Sequence, residues 1–495
     1  MSATSVRAPR SRSFAVDCRP LAIPAFRRMW AASVICAVGG SFSVVAVPTQ
    51  LFTVTGSSAA VGAAAAVSFA ALVVAALGSG ALADVMDRRT MLLAADLGLA
   101  LAYTTLWVQA VLGGRSVPVL LVAVALQGLA FGTVMTTTGA TVPRLVPAEL
   151  LPAANSLSSL VRYSGSILGP VLAGALVPVI GLGTLYLFDA VALLAVVWAV
   201  AMLPPLPPLP SPPAVGPAGA VGGVGPAGPA GAASAASAVG PAGGADGGRS
   251  SSATGRTLAG FRYLAANRLL VAVLAVDFAA MAFGMPSALF PELARDAFGG
   301  AAGGGLETGL LYAAYPAGVF LAGMLSGTFT RARRHGALVA GAAIAWGIAV
   351  VLVGLAVELW IALAALVLGG AVNFVLSTFR TTIMQAHTAD AMRGRVQGAL
   401  TVVLVGGPQI ANLLHGIAGA ALHDVAGALY GPRLAICAGG LLTVVTVAAI
   451  AWANPGLRHH TAPAPRAAAA RTPPGGLPRD RVSPAPASHA PAGPR

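Results

Sequence analysis

The sequence predicts an all-α integral membrane protein of twelve transmembrane helices in two six-helix bundles. Three observations carry that expectation. The chain is 57% hydrophobic and 9% charged, far below the roughly 25% charged residues of a soluble domain. Apolar runs long enough to cross a bilayer, about 20 residues each, recur on both sides of a central Pro/Gly/Ala-rich stretch. Arginines gather in alternate loops, as they do where cytoplasmic loops retain positive charge.

Residues 1–25 are polar, basic and proline-containing, and read as a cytoplasmic tail without fixed structure. Arg27 and Arg28 then precede an apolar run from Met29 to Val54. A basic start before an apolar run also fits a secretory signal. This run is longer than a signal's apolar region, and a second follows almost at once, so it is assigned as the first membrane helix. The first bundle, 26–203, is expected to hold helices near 28–53, 59–82, 90–112, 117–140, 153–178 and 183–203. Residues 204–260 are mostly Pro, Gly, Ala, Val and Ser. That composition cannot build a packed core and predicts a flexible cytoplasmic linker. No strict three-residue glycine period runs through it, which argues against collagen. The second bundle, 261–453, is expected to hold helices near 264–290, 307–329, 336–356, 359–382, 396–422 and 431–453. Residues 454–495 are rich in Pro, Ala and Arg and read as a disordered cytoplasmic tail.

A net charge of +14 in a soluble chain would point to nucleic acid. Here the arginines sit at helix ends, loops and tails, and membrane topology accounts for them, so no nucleic-acid partner is expected. With the N-terminus inside, the inner loops carry Arg88, Arg89, Arg144, Arg256, Arg331, Arg333, Arg334, Arg393 and Arg395. The outer loops carry Arg115, Arg295 and Arg433, with Glu292, Asp296, Glu307, Glu358 and Asp424. Both termini are therefore expected in the cytoplasm. The sequence has no lysine, so an ATP-binding loop of the Gly-x-x-x-x-Gly-Lys type is excluded. Cys18, Cys36 and Cys437 lie far apart, without metal or disulfide spacing. No cofactor and no metal are expected, and no His/acid cluster or Ser/His/Asp arrangement marks an enzyme.

The two halves echo each other. Gly80 before Arg88 and Arg89 is matched by Gly327 before Arg333 and Arg334, Glu149 by Asp390, and Gly169-Pro170 by Gly407-Pro408, at nearly constant separation. This is the mark of a duplicated six-helix unit, an arrangement that puts a substrate site between the repeats near the bilayer midplane. Gly80, Asp84, Arg88 and Arg89 form a charged loop between the second and third helices. Gly80 permits close helix approach, Asp84 suits a neighbouring helix N-terminus, and the arginines hold the cytoplasmic surface. This stretch resembles the corresponding loop of major facilitator superfamily transporters, with Val85 and Asp87 where that family usually has a basic residue and a glycine. Gly165, Gly169, Pro170 and Gly174 resemble the superfamily's exporter motif, with Ala173 where a glycine is usual. Small residues there let two helices pack closely, and the proline permits a bend. Val124 stands three residues before Gln127, where many proton-coupled drug exporters carry an arginine.

Further stretches are similar to the enterobactin-exporter branch: Val47-Pro48 through Thr55-Gly56-Ser57-Ser58, Pro143-Arg144-Leu145-Val146-Pro147 with Ala154-Asn155, and Met285-Pro286 with Phe290-Pro291. The inner-loop signature Asp390, Arg393, Gly394 and Arg395 belongs to the same set. The resemblance covers 26–453 apart from the linker. It implies a major facilitator fold in the cell membrane, acting as a monomer with the bilayer, protons and a small molecule as partners.

Charged side chains within a membrane span cost about 2.5–3.5 kcal/mol each on insertion scales and need a reason. Asp96 and Arg380 lie toward the inner ends of their helices and are expected to pair with inner-loop groups. Arg162 is open to an anionic substrate or to loop acids. Asp189 and Asp277 lie deeper without a basic neighbour in sequence. Both are candidates for proton coupling or substrate contact, Asp277 first, against interhelical hydrogen bonding. His415 is expected to be a satisfied core histidine.

The functional expectation is a secondary exporter of a siderophore, drug or natural product, working by proton antiport and alternating access. The alternatives are an importer of the same fold, or a transport-inactive receptor or scaffold.

Overall fold

The computed structural model describes residues 17–82, 86–204, 262–301, 303–326, 329, 332–389 and 392–461. The linker and both tails therefore lie outside the described residues, but for short flanks. In order the helices are α1 (Pro24–Gly39), α2 (Ser43–Thr55), α3 (Ser58–Leu82), α4 (Arg88–Val111), α5 (Val117–Leu145), α6 (Leu151–Ala201), α7 (Arg268–Gly284), α8 (Phe290–Phe298), α9 (Leu306–Met324), α10 (His335–Leu355), α11 (Leu359–Ala386), α12 (Arg393–Ala453) and the short α13 (Pro455–Arg458). Each span expected from the sequence has helical residues in its place.

Among the described residues, eight helical stretches are long and apolar enough to cross a bilayer. Two of them, in α6 and α12, have 49 and 51 residues, more than twice what one crossing needs. Each turns back at a single glycine: Gly181 in α6 (φ 76°, ψ 163°) and Gly427 in α12 (φ 81°, ψ 169°). That backbone region is open essentially to glycine alone. So α6 supplies the fifth and sixth expected spans, and α12 the eleventh and twelfth, by the same device.

The first and seventh expected spans are each broken in two. Gly39, Gly40 and Ser41 end α1, and the helix restarts as α2. Met285 and Pro286 end α7, and a 3-10 turn at Ser287–Leu289 leads into α8. The cause at the sequence level is low helix propensity at the glycines and the proline. An exposed break would leave backbone groups unsatisfied in an apolar medium. Side chains on distant helices fill that need, as described below.

Equivalent helices pack in equivalent ways. In the first half α3 and α4 pack on α5, and α4 and α1 on α6. In the second half α9 and α10 pack on α11, and α10 and α7 on α12. One buried apolar cluster runs from Leu264 to Leu457. Another runs from Phe42 to Leu193 and also takes in Ala288 of the second half. Large side chains such as Val179, Trp360 and Trp452 stand outside both, more than two-thirds exposed, as lipid-facing residues do. The halves meet through α3 against α12 and α6 against α9. Glu292 and Asp296, expected in an outer loop, instead lie on α8, and Glu307 lies in the first turn of α9.

The turn-back glycines give a direct test. Gly427→Ala should lower stability by about 1–3 kcal/mol, because alanine is strained at that backbone geometry. Gly341→Ala should not, since Gly341 is helical and a Cβ there meets nothing within 4 Å. Thermal unfolding of the purified protein in detergent reads both.

Candidate functional site

A cavity of about 520 Å³ lies between the two halves. The first half contributes Ser43 and Val47 of α2, Ala64 and Ser68 of α3, and Gln127 of α5. The second contributes the Met285–Ala288 break, Tyr312 and Tyr315 of α9, Trp346 of α10, and Gln409 and Asn412 of α12. Among the described residues none that lines the cavity is charged; the polar side chains are hydroxyls, carboxamides and an indole. Several of these are already held. The Tyr312 hydroxyl donates to the Ser287 carbonyl at 2.9 Å. The Trp346 indole donates to the Ala280 carbonyl at 2.9 Å, and its ring meets Tyr315 edge-on at 5.4 Å between centroids. Gln127 differs: its Nε2 is buried with no hydrogen-bond partner among the described residues. A buried unpaired donor is costly, and a bound molecule with an acceptor would satisfy it.

Both helix breaks border this cavity, and each is closed by a side chain from another helix. Asp189 of α6, fully buried, accepts from the Phe42 backbone N–H at 3.1 Å and from the Ser43 N–H at 2.8 Å. These are among the first N–H groups of α2, which have no partner within the helix. Asn412 plays the same part at the other break. Its Oδ1 accepts from the Ala288 N–H at 3.0 Å and from the Ser287 hydroxyl at 2.6 Å. Asp189 is thus one residue behind the cavity wall, with Ser43 between.

Asp277 has a partner that its own stretch of sequence does not show. Arg380 of α11, 103 residues away, donates to it at 2.6 Å, with both side chains buried. Asp277 has no basic neighbour in sequence, as expected, but has one in space, and the assignment of Arg380 to inner-loop groups is corrected. Neither residue lines the cavity. Asp96 is also buried, and its Oδ2 has no partner among the described residues, so the expected pairing with inner-loop groups is not seen among them. His415 donates from Nδ1 to the Ala411 carbonyl at 3.0 Å, but its Nε2 lacks a partner among the described residues and is only half satisfied. Arg162 is exposed, donates to Ser159 Oγ at 3.2 Å and lies 5.5 Å from the ring centre of Tyr163. It does not line the cavity.

In the charged loop, Gly80 ends up within α3, and Arg88 and Arg89 open α4; Asp84 lies outside the described residues. At α4 the N-terminus is capped by Asp87, whose Oδ1 accepts from the Arg89 N–H at 2.7 Å. Arg88 is buried. Arg89 donates to the Ala201 carbonyl at 2.5 Å, at the C-terminus of α6, where the helix dipole favours a cation. Of the inner-loop signature, Asp390 lies outside the described residues, and Arg393, Gly394 and Arg395 begin α12.

The small-residue motif of α6 faces two partners. A Cβ built on Gly165 would lie 2.8 Å from the Ala37 Cβ, and one on Gly169 would lie 2.5 Å from the Ser41 Cβ, so these glycines seat α6 against α1 and its break. One turn on, the motif crosses to the other half. A Cβ on Gly174 would lie 2.6 Å from the Gly305 carbonyl oxygen and 2.9 Å from the Gly309 Cα, and Gly309 in turn abuts the Pro170 carbonyl. Gly62 of α3 and Gly416 of α12 make the matching approach on the other flank. Both contacts lie at the end of the molecule away from the termini.

The cavity residues Asn412, Gln409, Tyr315 and Trp346 were not singled out from the sequence. The available signal is weak: Gln409 and Asn412 are polar residues just after Gly407-Pro408 in an apolar run.

Two repeated helical halves with a cavity between them define a multi-pass membrane transporter. Residues 29–411 match the Major Facilitator Superfamily, and the chain belongs to that superfamily. Among curated relatives it is 28% identical over 433 residues to the enterobactin exporter EntS of Shigella boydii, covering 86% of this chain and 92% of the relative. To EntS of Escherichia coli it is 27% identical with the same coverage. Among solved structures it is similar to a bacterial homologue of the human lysosomal transporter Spinster in an inward-facing, unoccupied conformation. That match has a TM-score of 0.64 at 15% identity, over 90% of this chain and 100% of the other. It is also similar to the nucleoside transporter NupG, with a TM-score of 0.58 at 13% identity, over 86% and 98% of the two chains. At such identities the structures share the fold.

The buried ion pair sets a further test. Removing one partner leaves an uncompensated buried charge, at a cost of about 3–5 kcal/mol, whereas neutralising both is far milder. Asp277→Asn should therefore be strongly destabilising, and the double variant Asp277→Asn with Arg380→Gln should regain most of the loss. Unfolding midpoints in detergent compare the two.

Proposed function

We propose that this protein is a secondary exporter, moving a small molecule out across the cell membrane by alternating access in exchange for protons. The observation that supports this best is the cavity between the halves, shut at one end by glycine contacts that include the exporter motif. The arginine distribution supports placing both termini in the cytoplasm, which makes the glycine-closed end the outer one. The curated relatives are named as exporters, and that supports the outward direction. The uncharged lining suits a substrate recognised through hydroxyl, amide and aromatic groups, with Gln127 offering a free donor.

Asp189 is the better candidate for proton coupling. Asp277 is held by Arg380, while Asp189 has no basic side chain bonded to it among the described residues and grips the α1–α2 break one residue behind the cavity. A carboxylate can accept from both Phe42 and Ser43. Protonation occupies part of that acceptor capacity and loosens the break, tying proton binding to the shape of the cavity wall. One charge moved through 100 mV is worth about 2.3 kcal/mol, enough to drive uphill transport. The charged loop of Gly80, Asp84, Arg88 and Arg89, and the separate inner-loop signature Asp390, Arg393, Gly394 and Arg395, fit a role in holding the inner ends together in the opposite state.

Efflux from cells preloaded with a panel of fluorescent dyes and catechol compounds tests the reading. Expression of the protein should speed energy-dependent efflux of at least one compound, and a protonophore should stop it. Asp189→Asn should reach the membrane normally, lose efflux against a gradient and keep downhill exchange. Unimpaired uphill efflux by Asp189→Asn removes it as the coupling site. Reporter fusions at Ala218 and Ala470 should both report cytoplasm; activity on the outer side at either position overturns the topology.

A further inference from the structure

We infer that Glu292 is the latch of the gate at the end of the molecule away from the termini, and that His423 positions it. The inference rests on the transporter reading above. Glu292 lies on α8 and is 1% exposed. Burying a carboxyl group at a helix surface is costly unless it is fully hydrogen-bonded, so its partners carry the meaning. The Ser58 hydroxyl, at the first residue of α3, donates to Glu292 Oε2. His423 of α12 approaches the other oxygen, Oε1, through Nδ1 at 2.8 Å. One carboxyl group therefore joins three helices, and Ser58 alone among them belongs to the first half.

The placement matters because the halves touch backbone to backbone here, on the flank of α3 and α12. A Cβ on Gly62 would lie 2.5 Å from the Asn412 carbonyl oxygen, and one on Gly416 would lie 2.5 Å from the Ser58 carbonyl oxygen. On the other side of Glu292, the Arg295 guanidinium lies 4.6 Å from the ring centre of Phe52 in α2. Arg295 is tied to its neighbour Asp296 at 2.6 Å. The titratable and charged side chains around Glu292 are thus His423 on α12 and Arg295 on its own helix, the latter already paired with Asp296.

Opening this end requires α3 to part from α12. Glu292 and His423 both belong to the second half and move together, so their bond survives. The bond to Ser58 crosses the gap and must break. His423, with its side chain about one-third exposed, keeps the carboxyl group aimed at Ser58 and gives it a path to solvent on that side. The division of labour is specific: Ser58 and Glu292 hold the gate, and His423 orients Glu292.

Sided cysteine labelling tests this without knowledge of the substrate. Cys18, Cys36 and Cys437 are replaced by serine, and Ala65→Cys provides a single probe on the cavity wall. A membrane-impermeant maleimide is applied to intact cells and to inverted vesicles, with and without an imposed proton gradient. Loss of a hydrogen bond to a charged group corresponds to a population shift of about tenfold. Glu292→Ala and Ser58→Ala should each raise labelling from the outer side by about that factor and lower it from the inner side. Glu292→Asp should restore part of the difference, and His423→Asn should fall between. Lower thermal stability with unchanged sidedness in Glu292→Ala and Ser58→Ala would make the contact structural and overturn the latch, while gradient-dependent labelling of the parent keeps the transporter reading. A parent probe that never changes sidedness under a gradient overturns alternating access itself, and the latch with it.

Discussion

A backbone that stops being helical inside a membrane must find hydrogen-bond partners from elsewhere, and the centre of this molecule is organised around that requirement. Among the described residues, two spans break beside the cavity. Each break is closed by the side chain of a residue on another helix, Asp189 at Phe42 and Ser43 and Asn412 at Ser287 and Ala288. Non-helical backbone at membrane depth is tolerated where it is buried in protein or lines a cavity, and here it does both. The breaks expose polar groups at the cavity edge and, in the same step, tie its wall to α6 and α12.

Those two helices also carry the small residues that join the halves. Gly174 of α6 meets α9, and Gly416 of α12 meets α3. In lipid, where helix association gains little from the hydrophobic effect, such close backbone approach through small residues is a main source of packing energy. The long helices α6 and α12 therefore hold the helix breaks on one face and the opposite half on another. A shift in either contact is felt by the other through a rigid element. On the proposed reading this is how an event at Asp189 reaches the outer gate: through α6, whose Gly169 sits on the break at Ser41 and whose Gly174 sits on α9.

The sequence made the helices legible because membrane spans are long, continuous and apolar, and arginines gather in alternate connections between them. It also made the close packing of α6 legible, since the spacing of Gly165, Gly169 and Gly174 survives as a pattern. It did not show the breaks, because Asp189 lies 147 residues from Phe42 and no local pattern links them. For the same reason Asp277 read as unpartnered, although Arg380 lies against it in space. Glu292 read as an ordinary loop acid, because a carboxylate near the end of an apolar run looks the same whether it faces water or a serine on another helix. Asp87 read as a departure from the family loop, yet it caps α4 in the way its position before two arginines allows.

The charged groups stand one layer behind the cavity rather than in it. Asp189 lies behind Ser43, and the Asp277–Arg380 pair lies off the lining altogether. A charge facing the substrate would bind or repel it directly and would restrict the molecules the cavity accepts. A charge behind the wall acts on the helices instead. Under the proposed mechanism, recognition and coupling are then carried by different residues: carboxamides, hydroxyls and rings meet the substrate, while carboxyl groups at a helix break and at the outer gate set which way the cavity opens. That separation permits the lining to vary among relatives of one fold without disturbing the elements that switch it. It also makes Asp189 and Glu292 dispensable for binding and necessary for turnover, a split that equilibrium binding and transport measured on the same variants can resolve.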